Sequence, residues 1–126
     1  MGLKSPFSIR GEKFMNDIKN YLGTEVTVKI DRALGTKNEE YGWIYSLNYG
    51  FIPNTIGGDG EEQDAYVVGH FHPVEEYVGT VIAIVHRIND NEDKLVVAPN
   101  GVNYTDDQIK ALTEFQEKWY KSEIIR

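Results

Sequence analysis

Hydrophobic positions along this chain follow two different periods, and the changes between them mark out its elements. Residues 12–22 carry Phe14, Ile18, Tyr21 and Leu22 at helical spacing, and Gly23 follows as a natural stop. From residue 25 the period becomes two. Val26, Val28 and Ile30 fall on one side and Thr27, Lys29 and Asp31 on the other, which predicts a strand with one buried face. Residues 32–42 are polar and include Gly35 and Gly42, the composition of a loop. Residues 43–52 are rich in aromatic and branched side chains and predict a second strand, stopped by Pro53. Residues 65–69, 79–88 and 94–98 predict three more, separated by turn-forming runs. The last segment is predicted to be a helix. Thr105-Asp106-Asp107-Gln108 matches a capping box, and its two acids suit the positive end of a helix dipole. Ile109, Leu112, Phe115, Gln116 and Trp119 then mark one face. Five short strands followed by a helix predict an α+β fold, mainly β: a small closed or partly closed barrel with the C-terminal helix packed on it. A short N-terminal helix precedes the barrel, and residues 1–11 read as irregular.

Composition narrows the class without changing that outline. The chain has 126 residues with no internal repeat and no linker, so a single domain spanning 1–126 is expected. Its hydrophobic fraction of 40%, with 12% aromatic, is too high for a disordered chain. A formal net charge of −7 argues against a general polyanion binder, and no nucleic-acid partner is expected. Phosphate substrates remain open if metal ions or a few cationic side chains line a local site. Cysteine is absent, which excludes disulfides, zinc thiolates and thiol nucleophiles. Neither a signal peptide nor a bilayer-length apolar run is legible, so a soluble, cytoplasmic protein is expected.

Candidate chemistry lies in the polar runs between strands. Asp59-Gly60-Glu61-Glu62-Gln63-Asp64 packs four acids into six residues and leads straight into a strand. Two readings stay open: a solvated turn, or a site where a hard divalent cation neutralises the carboxylates. A second cluster, Asn89-Asp90-Asn91-Glu92-Asp93-Lys94, follows the fourth strand. If extended, it sets Asp90, Glu92 and Lys94 on one face and Asp93 on the other. A hairpin turn with solvent-facing acids is the alternative. Tyr49 reads as strand packing or as a hydroxyl for the site, and Tyr120-Lys121 as a phenol and ammonium for an anion or as solvated residues. His70 and His72 have strand spacing for zinc but no third ligand beside them. No nucleophile elbow, P-loop or dinucleotide fingerprint occurs. Any site is therefore one of carboxylates and metal.

Taken in order, Asn48-Tyr49-Gly50-Phe51-Ile52, the acidic loop 59–64, Asp90 through Lys94 with Leu95-Val96, and Tyr120-Lys121 resemble the soluble family I inorganic pyrophosphatases. The resemblance covers about the last three-quarters of the chain, from Asp31 to Lys121. It implies an OB-like five-stranded barrel with a C-terminal helix. It also implies hydrolysis of pyrophosphate to two phosphates by water activated between Mg²⁺ ions, for which Mn²⁺ can substitute. On this resemblance Asp59 and Asp64 are ligands of the water-activating ions, and Asp90 and Glu92 are ligands of ions arriving with substrate. Glu61 takes the place of the general base. Tyr49, Lys94, Tyr120 and Lys121 face water or phosphate oxygens, and Asp31 matches a first-strand carboxylate. The family also suggests a homo-oligomer. Hydrolysis of another phosphoanhydride, such as a nucleotide or tripolyphosphate, and a non-catalytic metal- or phosphate-binding barrel are the rival readings.

Three departures from the family pattern bear on activity. The usual Asp-x-Asp-Pro-x-Asp is here Asp59-x-Glu61-Glu62-x-Asp64, so the base is a longer glutamate. The metal-binding position ahead of Lys94 in the family pattern is here Glu92 instead of aspartate, in a shorter loop. A hairpin that supplies a lysine, a glutamate and an arginine is nearly absent, leaving Arg32, Lys37, Glu39 and Glu40 as its nearest substitutes.

Overall fold

Strand β1 (Glu25–Arg32) opens the architecture seen in the computed structural model, which describes residues 18–90 and 92–126. It is followed by β2 (Asn48–Ile52), β3 (Gln63–Val67), β4 (Glu76–Arg87), β5 (Asp93–Ala98), helix α1 (Asp106–Glu117) and β6 (Ser122–Ile125). Strands β1, β2 and β3 form an antiparallel meander, β3 runs parallel to β5, and β5 is antiparallel to β4. β4 then pairs back onto β1, from Lys29↔Glu76 to Glu25↔Thr80, and this closes the ring. The length of β4 makes the closure possible: its first half holds β1, while its second half holds β5 on one side and β6 on the other.

Alternation sorts the side chains of this ring into two cores. Val28, Ile52, Ala65, Val67, Val81, Ile84, Leu95 and Val97 point inward and fill the barrel together with Ile18. Leu47, Tyr66, Val68, Ala83, Val85, Val96 and Ala98 point outward, where Ile109, Leu112 and Phe115 of α1 cover them. With both faces of β4 and β5 buried, residues 81–85 and 95–98 read as unbroken apolar runs without alternation. The predicted capping box is present: Thr105 Oγ1 accepts from Gln108 N at 3.1 Å, and Gln108 Oε1 accepts from Thr105 N at 2.8 Å.

The structure adjusts several expected boundaries. The second strand begins at Asn48; residues 43–47 instead fold into a loop with a single bridge, Lys37↔Ile44. The chain from Tyr120 onward is not helical. α1 ends at Glu117, and the branched pair Ile124-Ile125 adds β6 to the edge of β4, so Tyr120 and Lys121 lie in the turn between them. Trp119, expected on the buried helix face, sits past the helix end and is 63% exposed. Of the helix predicted over 12–22, residues 18–19 are helical and a turn runs to Gly23; the remainder, with the region 1–11, lies outside the described residues. Among the described residues no helix is long and apolar enough to cross a membrane.

Candidate active site

The outer face of the barrel changes character at one end. Where α1 ceases to cover it, the alternation that presents Tyr66, Val96 and Val85 presents Asp64, Lys94 and Arg87 instead. Register brings these three together, because Lys94 stands opposite Val85 on β4 while β5 lies beside β3. Tyr49 pairs with Tyr66 across β2 and β3 and so faces the same way. Its ring lies 4.9 Å from that of Tyr66 and 6.0 Å from that of Tyr45, and the aromatic series runs out through Trp43 to exposed Tyr41.

Lys94 is the centre of the group. Its ammonium donates to Asp64 Oδ2 and to Glu92 Oε1, both at 2.7 Å, and lies 5.7 Å from the Tyr49 ring centroid. Burial alone would lower its pKa, but Tyr49, Asp64 and Glu92 outweigh that effect and keep the ammonium charged. Burial pushes the Tyr49 phenol well above its usual range, Lys94 opposes this and Asp64 adds to it, so the hydroxyl stays neutral.

The acidic loop is shaped by its own backbone. Gly57 N donates to Glu61 O at 2.6 Å, and Gly60 takes φ +87°, a left-handed turn that favours glycine. Asp59 Oδ1 accepts from Glu61 N at 3.0 Å, turning its carboxylate back over the loop. Buried Gln63 ties the loop to β5 through Nε2, which donates to Asp93 O at 2.6 Å. Across the gap, the carboxyl groups of Asp59 and Glu92 are close enough to influence each other's charge. Partial burial would raise Asp59, yet the Glu92 carboxyl, the Glu61 backbone and Lys94 hold it below the usual range. Burial and the Asp59 charge push Glu92 up despite Lys94.

A buried network supports the second cluster from behind. Arg87 is 5% exposed; its Nε and NH2 donate to Glu117 Oε1 and Oε2 at 3.0 and 2.9 Å. Its NH1 donates to Glu92 Oε1 at 3.2 Å and lies 3.7 Å from Asp90 Oδ2. The Tyr120 ring covers the guanidinium, 3.6 Å from centroid to Cζ. Glu117 also accepts from Tyr66 Oη at 2.7 Å, and Tyr66 Oη accepts from Gln116 Nε2 at 2.7 Å. α1 is thus joined to the acidic end of the sheet by charged hydrogen bonds.

Of the residues expected from sequence, the fold brings together Tyr49, Asp59, Asp64, Glu92 and Lys94. Asp90 and Tyr120 join through Arg87. Asp93 points the other way, as alternation predicts, onto His86 Nδ1 at 2.6 Å. Asp31 is the extra residue where the β1–β2 register slips. Burial raises its pKa, Arg32 opposes, and nearby Asp64 and Glu62 add to the rise. From Asp31 a cavity of about 430 Å³ opens along Arg32, Lys37, Asn38, Glu39 and Glu40. Glu61 is exposed, and among the described residues its carboxylate takes no hydrogen bond. Lys121 lines a separate groove between α1 and β6 with Lys110, Glu114 and Lys118.

Among the described residues, no three acidic or histidine side chains converge as a ready metal cage. The carboxylate oxygens of Asp59, Asp64 and Glu92 are of the type a hard cation takes, with Asp64 and Glu92 joined through Lys94. Asp90 is different, since it faces the Arg87 guanidinium.

Arg87, Glu117, Gln116 and Tyr66 form the buried network behind the candidate site that sequence reading missed. A signal existed for two of them. Arg87 is in phase with Ala83 and Val85 on the outward face, and Glu117 is in phase with Ile109 and Thr113 on the buried face of α1. A charge at a buried phase calls for a buried partner.

Comparison with known proteins bears on the fold and the family. Solved inorganic pyrophosphatases from Ehrlichia chaffeensis and Thermus thermophilus superpose with TM-scores of 0.63 and 0.59 at 18% and 15% identity. They cover 81% of this chain each, and 85% and 80% of those chains, which establishes the common barrel fold. Among curated proteins, the inorganic pyrophosphatase of Saccharolobus solfataricus is 36% identical over 80 residues, 59% of this chain and 42% of that protein. The inorganic pyrophosphatase of Rickettsia prowazekii is 38% identical over 81 residues, 58% and 45% of the two chains. The chain thus spans less than half the length of the curated relatives it matches. The family model described as inorganic pyrophosphatase matches residues 15–124, nearly the whole chain, and the chain belongs to that family.

Proposed function

We propose that this chain is an inorganic diphosphatase, hydrolysing pyrophosphate to two phosphates with Mg²⁺, or Mn²⁺ in its place. The observation that carries the reading is the Lys94 bridge between Asp64 and Glu92, set against Asp59 and Tyr49 at the open end of the sheet. The family implies dependence on divalent metal. Asp59, Asp64 and Glu92 are the residues that would hold the cation. When bound, it supplies charge to offset the phosphates and a water acidic enough to attack at neutral pH.

The rest of the chemistry falls to the chain. Water oxygen forms a bond to one phosphorus as the bridging P–O bond breaks, and the second phosphate leaves with the bridging oxygen. Glu61, exposed beside Asp59, accepts the proton that the water loses. Lys94 stays charged and fixes Asp64 and Glu92, so no rotamer search precedes reaction. Neutral Tyr49 is a hydroxyl donor at the same face. Tyr120, held flat by Arg87, offers its phenol toward phosphate oxygens. Lys121, in the separate groove between α1 and β6, acts only at longer range, through the field it adds for an approaching anion. With little covalent work to do, positioning and electrostatics suffice and no serine or cysteine nucleophile is needed.

Phosphate release from pyrophosphate, tripolyphosphate and ATP, each with Mg²⁺, tests the reading. Pyrophosphate is expected to turn over at least about tenfold faster than the others; equal or faster turnover of ATP would contradict it.

A further inference from the structure

We infer that Gln63 is a positioning residue for the reaction proposed above: its buried carboxamide sets, from inside the barrel, how far apart the two acidic segments stand at the open end. The role rests on that functional reading, since the spacing matters to chemistry only if both segments serve one substrate. Gln63 is a residue type out of place. It shares the inward phase of β3 with Ala65 and Val67, which fill the barrel, and it is 3% exposed. A polar side chain there costs stability unless its hydrogen bonds are met, and an apolar one of similar length would suit the surroundings. The bonds are met by groups that carry the site. Nε2 donates to Asp93 O at 2.6 Å and to Asp64 O at 3.1 Å. The backbone N donates to Thr55 Oγ1 at 2.9 Å, and that hydroxyl donates to Ile52 O at 2.6 Å.

Strand pairing shows what the Gln63 bond replaces. β3 and β5 run side by side from Val67↔Val97 to Ala65↔Leu95, and the ladder stops there. Past that point they carry Asp64 and Lys94, then Gln63 and Asp93, toward the acidic loop and the β4–β5 turn. Two side-chain links continue the ladder. On the outer face Lys94 Nζ meets Asp64 Oδ2 at 2.7 Å, inside the site, where 31% of the Asp64 side chain is open. From the inner side Gln63 reaches Asp93 O. The outer link joins two charges, and ions entering the site act on it directly. The inner link is neutral and buried, with no charge for a cation or a phosphate to compete for, so it keeps one spacing in the loaded and the empty site. Asp93 lies between Glu92 and Lys94, so holding its carbonyl fixes the backbone that carries both. Its own side chain is anchored on β4 by His86 Nδ1 at 2.6 Å, which stiffens the far end. At the near end the loop closes on the carboxamide: a Cβ on Gly57 would come within 3.2 Å of Gln63 Oε1. An error of about 1 Å in such spacing costs on the order of 100-fold in rate.

Gln63→Met keeps the length of the side chain and removes the donor. Amide hydrogen exchange of the metal-free full chain, paired with steady-state kinetics, provides the test. The urea midpoint should be unchanged or higher, because an apolar side chain suits the barrel interior. The Gly57 amide, which donates to Glu61 O, should exchange at least about tenfold faster than in the parent, with the Val67 and Val97 amides unchanged. With Mg²⁺ and saturating pyrophosphate, kcat should fall at least about tenfold while KM changes less. Gln63→Leu should behave alike, so failure of one variant to fold leaves the other to decide. Exchange at Gly57 matching the parent, or kcat within about twofold of it in a folded variant, would overturn the positioning role. A folded parent that hydrolyses no pyrophosphate with Mg²⁺ would overturn the functional reading instead, and the exchange comparison would still decide whether Gln63 holds the loop.

Discussion

Lys94 shows how much one side chain contributes at this site. It is a lysine in phase with Val96 and Ala98, 3% exposed, and its charge is tolerated only because Asp64 and Glu92 each lie at 2.7 Å. Replacing it by methionine leaves those carboxylates facing each other and removes the donor that fixes them. Lys94→Met is expected to lower kcat for pyrophosphate by at least about 100-fold, near the loss seen when one electrostatic donor is removed. A kcat within threefold of the parent would place Lys94 outside the chemistry. The tyrosines give a second prediction. Tyr49 and Tyr66 are raised chiefly by burial, so their contribution to stability is full below the ordinary phenol pKa of 10.0 and is lost as pH rises toward their folded values. Of the eight tyrosines, these two should ionise only as the chain unfolds, and the urea midpoint should fall between pH 9 and 11. Titration of all eight near pH 10 in the folded protein, followed by tyrosinate absorbance, would contradict it. Tyr49, Asp59, Asp64, Glu92 and Lys94 were legible as site candidates because acids and a lysine near strand ends in this order are uncommon. Arg87 was marked only by its charge at a buried phase; its partner Glu117 lies 30 residues away, so no local pattern paired the two.

At the scale of elements, two junctions hold the site in shape. One is the contact of β1 with β2. A Cβ on Gly50 would collide with the Lys29 carbonyl, which is backbone and cannot swing away. Gly50→Ala should therefore push β1 from β2 beside Asp31 and destabilise by about 3 kcal/mol, the upper part of the range for overpacked interiors. An unchanged chemical-denaturation midpoint would show that the strands part without cost. The other junction is Glu117, which joins α1 to Arg87 on β4 and to Tyr66 on β3. Glu117→Ala leaves a buried guanidinium half unpaired and should cost about 3–5 kcal/mol. Strand periods and the Thr105 capping box made most elements readable, because they rest on local chemistry. β6 was not readable: four residues after a helix carry too little pattern, and their extended form depends on the free edge of β4. The stretch 43–47 misled for a related reason. Its aromatic side chains suit a strand, but Tyr45 is taken up by Tyr49 and Phe115 in the outer cluster.

For the whole molecule, ring closure puts the ends of β2, β3 and β5 side by side, and α1 covers the outer sheet only up to that end. The uncovered end then gathers charge from the 59–64 loop, the β4–β5 turn and the α1–β6 turn, segments far apart in sequence. Such convergence cannot be read from periodicity, which reports which face a residue takes and not which strand it lies beside. Family resemblance supplied that information for most of the site, and the structure added the cationic support from Arg87. On the proposed function, this charged end turns over pyrophosphate. Phosphate release from pyrophosphate with Mg²⁺, compared between the parent chain and Asp64→Asn, tests it most directly. The parent is expected to release phosphate only with the divalent ion present, and Asp64→Asn at least about 100-fold more slowly. Equal release by both proteins, or none from a folded parent with Mg²⁺, would contradict the account.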